Sequence, residues 1–162
     1  MTKLLIVSDS HGRADLLNRV AMRHPDADVL LHLGDGAEDA ARFAASHTRP
    51  VVHSIRGNCD FFLASLSVKE EATLSVEEVK LFACHGHRYG VKRDLMPLFY
   101  KGLSEGAGLV LFGHTHEPLL LEKETITLLN PGSLGQSSDG FFHYATVEIE
   151  GARMKCRLEQ FL

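Results

Sequence analysis

The amino-acid sequence predicts an α/β fold in which two mixed sheets pack face to face with helices outside them, and three patterns lead to this class. Continuous aliphatic runs, such as residues 4–7 and 109–112, are typical of strands buried on both faces of a parallel sheet. Apolar stripes with helical spacing follow several of these runs. Near the carboxyl end, polar and apolar residues alternate with period two, which indicates antiparallel hairpins.

The elements can be placed in chain order. Strands are predicted over residues 4–7, 29–33 and 51–55, and helices over 13–24 and 37–46. Two strand-like stretches, 66–74 and 79–83, then flank a polar turn at 75–78 with no helix between them. A helix over 93–105, with Pro97 tolerated only in its first turn, leads to a strand over 109–112. Two hairpins end the chain: 118–121 with 125–129, and 143–150 with 153–159.

Composition indicates one compact domain over residues 1–162, because 44% hydrophobic and 23% charged residues are the proportions of an ordinary globular protein. A net charge of −4 and the lack of a Lys/Arg cluster argue against a broad nucleic-acid footprint. Three cysteines without C-x-x-C spacing suit a reducing compartment. With no signal-peptide pattern and no long apolar span, we expect a soluble cytoplasmic protein that does not enter a membrane; a homo-oligomer is compatible with the sequence.

Five short polar signatures each follow an apolar, strand-like run. Successive signatures lie 23 to 29 residues apart, roughly one strand and one returning connection of a βαβ unit, so the strands are predicted to be parallel. In open α/β sheets a ligand site forms outside the carboxyl ends of the strands, where all five signatures would meet. The signatures are Asp9-Ser10-His11, Gly34-Asp35, Gly57-Asn58-Cys59-Asp60, His85-Gly86-His87 and Gly113-His114-Thr115-His116.

The donors in these signatures indicate a metal site. Carboxylates, imidazoles and one carboxamide suit Mn²⁺, Fe or Zn²⁺, and no thiolate is required. Two divalent ions offset by two carboxylates leave about two positive charges, which would hold a phosphoryl anion and lower the pKa of a bound water. Phosphate-ester hydrolysis is the reaction that this site favours. The candidate ligands are Asp9, His11, Asp35, Asn58, His85, His114 and His116.

Other polar and aromatic residues leave alternatives open. His87 is either a solvent-facing neighbour of a ligand or a substrate contact. The segment 61–63 is either an exposed contact loop or a core anchor. Five further histidines fit no ligand spacing and are expected in the core or on the surface: His24, His32, His47, His53 and His143.

These signature blocks resemble those of the calcineurin-like metallophosphoesterases. Asn130-Pro131-Gly132-Ser133 and the short chain are further similar to the small prokaryotic YfcE-type phosphodiesterases. The resemblance implies a four-layer αββα sandwich and two divalent ions, often manganese, with Fe, Zn²⁺ and Ni²⁺ as alternatives. It assigns Asp9, His11, Asp35 and His116 to one ion, and Asp35, Asn58, His85 and His114 to the other. It also places residues 130–133 beside the site.

One residue departs from the broader family. Many members carry a histidine directly after the ligand asparagine, whereas this chain has Cys59, as in the YfcE-type form. Cysteine is a poor cationic hydrogen-bond donor, so an efficient general acid is not expected at this position. The candidate catalytic residues are Asn58, Cys59, Asp60 and His87.

The predicted function is a metal-dependent phosphodiesterase that hydrolyses a small phosphodiester whose identity the sequence does not specify. A phosphomonoesterase or nuclease using the same site is one alternative. Another is a protein-interaction scaffold like the retromer subunit Vps29, which resembles this fold but has an altered metal site. Every expected ligand position here keeps a competent donor, which favours the enzyme.

Overall fold

The structure, a computed structural model, describes residues 1–61 and 67–162. Within them, ten strands form two five-stranded sheets. The first sheet has the order β10-β9-β1-β2-β3 and the second has the order β4-β5-β6-β8-β7. The strands are β1 Thr2–Val7, β2 Val29–His32, β3 Val51–Ser54, β4 Glu71–Val76, β5 Val79–Cys84, β6 Leu109–Leu111, β7 Leu119–Lys123, β8 Ile126–Asn130, β9 Phe142–Glu150 and β10 Arg153–Phe161.

Both sheets are mixed, as the sequence predicts. In the first sheet β1, β2 and β3 are parallel, while β9 and β10 continue it in antiparallel pairs. In the second sheet β5, β6 and β8 are parallel, and β4 and β7 form antiparallel edges. The helices are α1 Ala14–Arg23, α2 Ala37–Ser46 and α3 Met96–Glu105, and a 3₁₀ turn covers His87–Tyr89.

Three apolar clusters show how these elements form layers. Leu4 and Ile6 of β1 face the second sheet and pack in a central core with strands such as β5 and β6. Leu5 and Val7 face the other way because strand side chains alternate, and they pack with α1 and α2. A third cluster joins α3 to the outer face of the second sheet. The order helix, sheet, sheet, helix confirms the predicted four-layer αββα sandwich.

The predicted strand over 66–74 is wrong in its position. The strand is Glu71–Val76, and residues 67–70 are not in a strand. Glu70 accounts for part of the later start of the strand. Its carboxylate forms ion pairs with the guanidinium groups of Arg56 and Arg88, and this charged residue lies in the loop before β4. The predicted turn at 75–78 shortens to residues 77–78, since Ser75 and Val76 pair with β5.

The predicted helix over 93–105 begins later, at Met96, and Pro97 lies in its first turn as expected. The preceding residues form turns in which the N–H groups of Arg93 and Asp94 donate to the carbonyl of Gly90. In the segment 61–63, Phe61 is 63% exposed, while Phe62 and Leu63 lie outside the described residues. Among the described residues no helix is long and apolar enough to cross a membrane.

Candidate metal centre

The five signatures follow the carboxyl ends of parallel strands in both sheets. Asp9, Asp35 and Asn58 come after β1, β2 and β3 of the first sheet, and His85 and His114 come after β5 and β6 of the second sheet. Because the central core holds the sheets face to face, these ends meet at one rim. The predicted convergence is therefore present in the fold.

Distances across this rim join the two sheets. Oδ1 of Asp9 lies 3.1 Å from Nε2 of His116, 3.7 Å from Nε2 of His11 and 3.9 Å from Nε2 of His85. Oδ2 of Asp35 lies 3.3 Å from Nε2 of His85. The carboxylates of the first sheet thus face imidazoles of the second sheet.

Two groups of donors have the spacing that a metal ion needs. One contains Asp9, His11 and His116, and the other contains Asp35, His85 and His114; within each group the donor atoms lie within 4.8 Å of one another. A third group brings Cys59 together with His11 and Asp35. The first two groups agree with the division of ligands that the family resemblance implies.

The backbone at five of these residues is in the left-handed region. The φ angles are 54° at Asp9, 46° at His11, 54° at Asp35, 68° at His114 and 62° at His116. Non-glycine residues in this region cost on the order of 1–3 kcal/mol each and cluster at functional sites. The turn out of the strand pleat explains how Asp9 and His11, two positions apart, both reach the rim.

His85 is oriented by a contact on its far side. Its ring is buried, and its Nδ1–H donates to the carbonyl of Leu33 over 2.7 Å, so Nε2 carries the lone pair. This Nε2 and that of His11 are buried without a hydrogen-bond partner. With its only proton on Nδ1, the ring would set the Nε2 lone pair against the Asp35 carboxylate, and either a proton or a metal cation between them removes this repulsion. The donor set therefore fits divalent metal ions.

The electrostatics of the carboxylates favour their charged forms. Burial alone would raise the pKa of Asp9, but contacts with His11, His116, His85 and Ser8 outweigh it and hold this pKa well below its usual range. Burial opposes the same shift at Asp35, where His85 and the N–H of Cys59 lower the pKa to about 2. Both carboxylates are consequently ionised at neutral pH.

The pKa values of the imidazoles shift in opposite directions. Burial, with the nearby charges of His85 and Lys92, lowers the pKa of His114 to about 4, so this ring is neutral and able to coordinate. The nearby carboxylate of Asp9 raises the pKa of His11 despite partial burial. At His85 burial works against the same effect, but Asp35 and Asp9 prevail and raise the pKa.

A buried network supports the ligand loops of the first sheet. The N–H of Gly34 donates to Nδ1 of His32 over 3.2 Å, so the ring proton is on Nε2, which donates to Oγ of Ser10 over 2.9 Å. The Ser10 hydroxyl donates in turn to Oδ2 of Asp39 over 2.5 Å, and the N–H of Gly12 donates to the same oxygen. The chain links the loop after β1 to the loop after β2, and burial lowers the pKa of His32.

The carboxylate of Asp60 links the loop after β3 to the loop after β2 by hydrogen bonds. Oδ2 accepts the N–H groups of Asp35 and Gly57 over 2.8 and 2.7 Å, and Oδ1 accepts those of Gly36 and Ala37 over 3.0 and 3.1 Å. Asp60 therefore also satisfies N–H groups at the start of α2, where an anion is favoured. Its oxygens are directed to the backbone beneath the rim.

Residues 130–133 support the other side. Nδ2 of Asn130 donates to the carbonyl of Gly113 and to Oγ1 of Thr115, both over 2.9 Å. The Ser133 hydroxyl donates to the carbonyl of Asp9 over 2.9 Å. The segment therefore lies beside the site, where the family resemblance puts it, although the residue pattern alone indicates only a turn.

The remaining candidates lie around the donors. Asn58 and Cys59 are exposed; the Asn58 amide donates to Sγ of Cys59 over 3.5 Å, and the Cys59 N–H donates to Oδ1 of Asp35 over 2.7 Å. The ring of His87 lies 5.4 Å from that of His85 and 6.1 Å from that of His114, and its Nδ1 is buried without a hydrogen-bond partner. His87 thus adjoins the ligands.

The signature glycines permit close approach between loops. A Cβ at Gly57 would lie 2.2 Å from Oδ1 of Asp35, and a Cβ at Gly113 would lie 2.0 Å from Oγ of Ser8. Both distances are too short for any side chain. A larger residue at either position would therefore displace Asp35 or Ser8.

The comparisons with known proteins agree with this geometry. Residues 2–152 match the profile of the calcineurin-like phosphoesterase superfamily domain. The chain belongs to this superfamily. It is 35% identical over 135 residues to the probable metallophosphoesterase YsnB of Bacillus subtilis, covering 81% of this chain and 74% of YsnB. It is 29% identical over 160 residues to the phosphodiesterase YfcE of Escherichia coli K12, covering 86% of this chain and 83% of YfcE.

Solved structures show the same fold. A predicted phosphoesterase of Streptococcus pneumoniae superposes with a TM-score of 0.78 at 26% identity, covering 97% of this chain and 88% of that protein. Zinc-bound Vps29 of Entamoeba histolytica superposes with a TM-score of 0.77, covering 99% and 98% of the two chains. Its identity of 19% indicates a shared fold alone. The protein is thus a member of a metal-using phosphoesterase superfamily with candidate ligands in place.

Proposed function

We propose that the protein is a metal-dependent phosphodiesterase that hydrolyses small phosphodiesters at a dinuclear centre. The observation that carries this proposal is the pair of neighbouring donor groups at the rim, with buried Nε2 atoms of His11 and His85 that lack hydrogen-bond partners. The YfcE phosphodiesterase among the relatives supports the class of ester. Residues 1–162 would act as one domain, and we propose that the protein works in the cytoplasm.

The proposed ligand sets follow the two donor groups. Asp9, His11, Asp35 and His116 would hold one ion, while Asp35, Asn58, His85 and His114 would hold the other. Asp35 would belong to both sets. Bound divalent ions, which we propose to be Mn²⁺ with Fe, Zn²⁺ or Ni²⁺ as alternatives, would neutralise phosphate charge and acidify a water. The carboxamide of Asn58 would add a donor without adding charge.

The residues of the chain would also select the type of ester. With two ions, Asp9 and Asp35 leave about two positive charges, which suffice for the single negative charge of a diester. A monoester carries about two charges and gains more from a cationic general acid, which Cys59 does not provide. We propose substrate contacts for Asn58 and His87. We assign Asp60 to positioning rather than to contact with the reacting atoms, because both its oxygens accept backbone N–H groups.

A second candidate is a protein-interaction scaffold, which the structural likeness to Vps29 favours. A scaffold has no need of carboxylates whose pKa values are lowered or of imidazole nitrogens left without hydrogen bonds. These features are present here and favour the enzyme. Metal-dependent turnover separates the two candidates.

The experiment compares a diester with a monoester that has the same leaving group, using metal-stripped protein and protein reconstituted with Mn²⁺. We expect turnover only with metal and a higher kcat/KM for the diester. His114→Ala should remove most of the activity, whereas His53→Ala, which changes an exposed histidine on β3, should not. Absence of turnover with every ester would favour the scaffold, and a clear monoester preference would favour a phosphomonoesterase.

A further inference from the structure

A cavity of about 360 Å³ opens directly beside the candidate metal centre. Thr115 forms part of its wall, and this residue stands between the candidate ligands His114 and His116. Lys92, another lining residue, is close enough to interact electrostatically with the His114 imidazole. A molecule bound at the centre would therefore have a neighbouring space into which a substituent extends.

Apolar residues form one side of this cavity, beside the polar residues Lys92, Thr115 and Glu117. Val91, Leu95, Phe112 and Leu119 line it, and Phe112 and Val91 are almost fully buried within the third apolar cluster. The volume lies within the range of small-molecule pockets, which are generally apolar with a few polar groups that orient the ligand. A neutral ring would be accommodated in such a space.

Charge distinguishes this cavity from a second one, which is lined in part by the candidate ligands His11 and Asp35. Lys92 and Glu117 line the first cavity with opposite charges. The second, of about 250 Å³, is lined by Asp35, Glu38, Asp39 and Asp60, and its described lining contains no lysine or arginine. Neither cavity favours a second anionic group, and only the first is lined by aliphatic and phenyl side chains.

We propose, on the basis of the phosphodiesterase function above, that the cavity beside Thr115 binds one alcohol group of the diester and selects a neutral planar ring about the size of a nucleobase. The ammonium of Lys92 and the carboxylate of Glu117 offer a donor and an acceptor to polar edges of this ring. The acidic cavity takes the smaller alcohol or remains filled with water. The preferred substrate class is therefore a phosphodiester with one nucleoside-like alcohol.

The kinetic test uses two methyl esters that release the same alcohol: the methyl ester of adenosine 5′-monophosphate, and ethyl methyl phosphate. Methanol released by the Mn²⁺-loaded enzyme is measured by NMR. We expect kcat/KM for the nucleoside ester to be at least about tenfold higher than kcat/KM for ethyl methyl phosphate, as for a well-filled apolar pocket. Leu119→Trp fills the cavity and should reduce this ratio about tenfold.

A matched control is available on the same strand. Leu121 lies two positions after Leu119 on β7, so its side chain is on the same face, but it does not line the cavity. Leu121→Trp should retain the wild-type ratio. Leu95→Trp provides a second filling variant if Leu119→Trp does not fold, as checked by circular dichroism.

The second measurement does not depend on activity. Adenosine, which has no phosphate, is added to the metal-free protein, and the amide NMR shifts of residues 91, 92 and 119 should change in the wild type but not in the filling variants. Hydrolysis of both esters with no preference and no shifts would overturn the ring-binding proposal while leaving the phosphodiesterase function intact. Hydrolysis of neither ester would instead overturn the phosphodiesterase function, and with it the role of the cavity as a substrate subsite, even where adenosine shifts the amides.

Discussion

The two sheets contribute different chemistry to the same centre. The first sheet supplies the carboxylates, Asp9 and Asp35, which are 0% and 4% exposed. From the second sheet come imidazoles: His85, which is buried, and His114 and His116, which are more open, with 32% of the His116 side chain exposed. The two carboxylates are therefore buried, whereas two of the three imidazoles from the second sheet are partly exposed.

The side chains that hold the ligand loops in place also differ in charge between the two sheets. On the first sheet, buried carboxylates of Asp39 and Asp60 accept N–H groups from the ligand loops. On the second sheet the corresponding support is the neutral amide of Asn130. Because hydrogen bonds to charged groups are about twice as strong as neutral ones, the loops of the first sheet should be held more firmly. Substitutions of the supporting residues in the first sheet should consequently reduce metal binding and stability more than those in the second sheet.

The largest effect is expected from Asp35→Asn, which removes the charge proposed to bridge both ions. Metal content should fall at both sites and kcat/KM by at least about 100-fold, since even residues behind the ligands are worth about 10- to 100-fold. The backbone N–H that donates to Asp60 is retained, so the fold should persist. Elemental analysis after Mn²⁺ reconstitution measures the loss.

Asp26→Asn is the matched control, since Asp26 is exposed and paired with Lys3 away from the rim. It should keep full metal content and activity. Two tightly held ions in Asp35→Asn would contradict the bridging role, and one ion or none in the wild type would contradict the dinuclear proposal.

Asp60→Ala should produce the next largest effect by leaving four N–H groups of the first sheet without an acceptor. We expect a loss of about 3 kcal/mol in the free energy of unfolding and weaker metal binding by about 10- to 100-fold. Asp60→Asn, which keeps one carbonyl acceptor, should lose less. Urea denaturation with Asp15→Ala, a change at an exposed carboxylate, as control measures the difference. Unchanged stability in Asp60→Ala would contradict the positioning role.

The convergence of the candidate ligands from both sheets could be predicted because each signature follows the carboxyl end of a parallel strand. Asp39 could not be predicted in the same way. It lies in the first turn of a helix, where an acidic residue ordinarily faces solvent, and only the path of the chain brings Ser10 and Gly12 to it. For His32 the sequence leaves core and surface open; the residue is buried, and its hydrogen bonds depend on contacts between distant residues.

The four-layer architecture was implied by the family resemblance, whereas the residues alone indicated two packed sheets with helices outside. The first and last residues of the strands are harder to predict, because apolar content does not show where backbone pairing begins. Residues 67–70 illustrate this limit, since the contacts of Glu70 with Arg56 and Arg88 cross between loops. The support from Asn130 depends likewise on the meeting of β8 with the loop after β6, which the residue pattern does not show.

Asn130→Ala tests the neutral support of the second sheet and should have a smaller effect than Asp60→Ala. It removes the donors to Gly113 and Thr115 and the acceptor for the N–H of Gly132. We expect a loss of about 1–2 kcal/mol in stability and a decrease of about tenfold in kcat/KM. Asn18→Ala, on an exposed part of α1, is the control for both measurements. A larger loss than in Asp60→Ala would reverse the ranking of the two halves.

The smallest effect is expected from Cys59→Ala, which changes an exposed side chain at the edge of the first sheet's half. Partial burial and the nearby carboxylate of Asp35 raise the pKa of the Cys59 thiol, so little of the nucleophilic thiolate is present. Alanine keeps the backbone N–H that donates to Asp35. If water supplies the attacking oxygen, activity should remain within about threefold of wild type, whereas His85→Ala should lose most of it. Cys156→Ala, which removes a thiol from β10, controls for thiol loss elsewhere. A Cys59→Ala protein with full metal content but as little activity as His85→Ala would show that the thiol itself attacks phosphorus or protonates the leaving group, and the first sheet would then contribute a reacting side chain as well as charge.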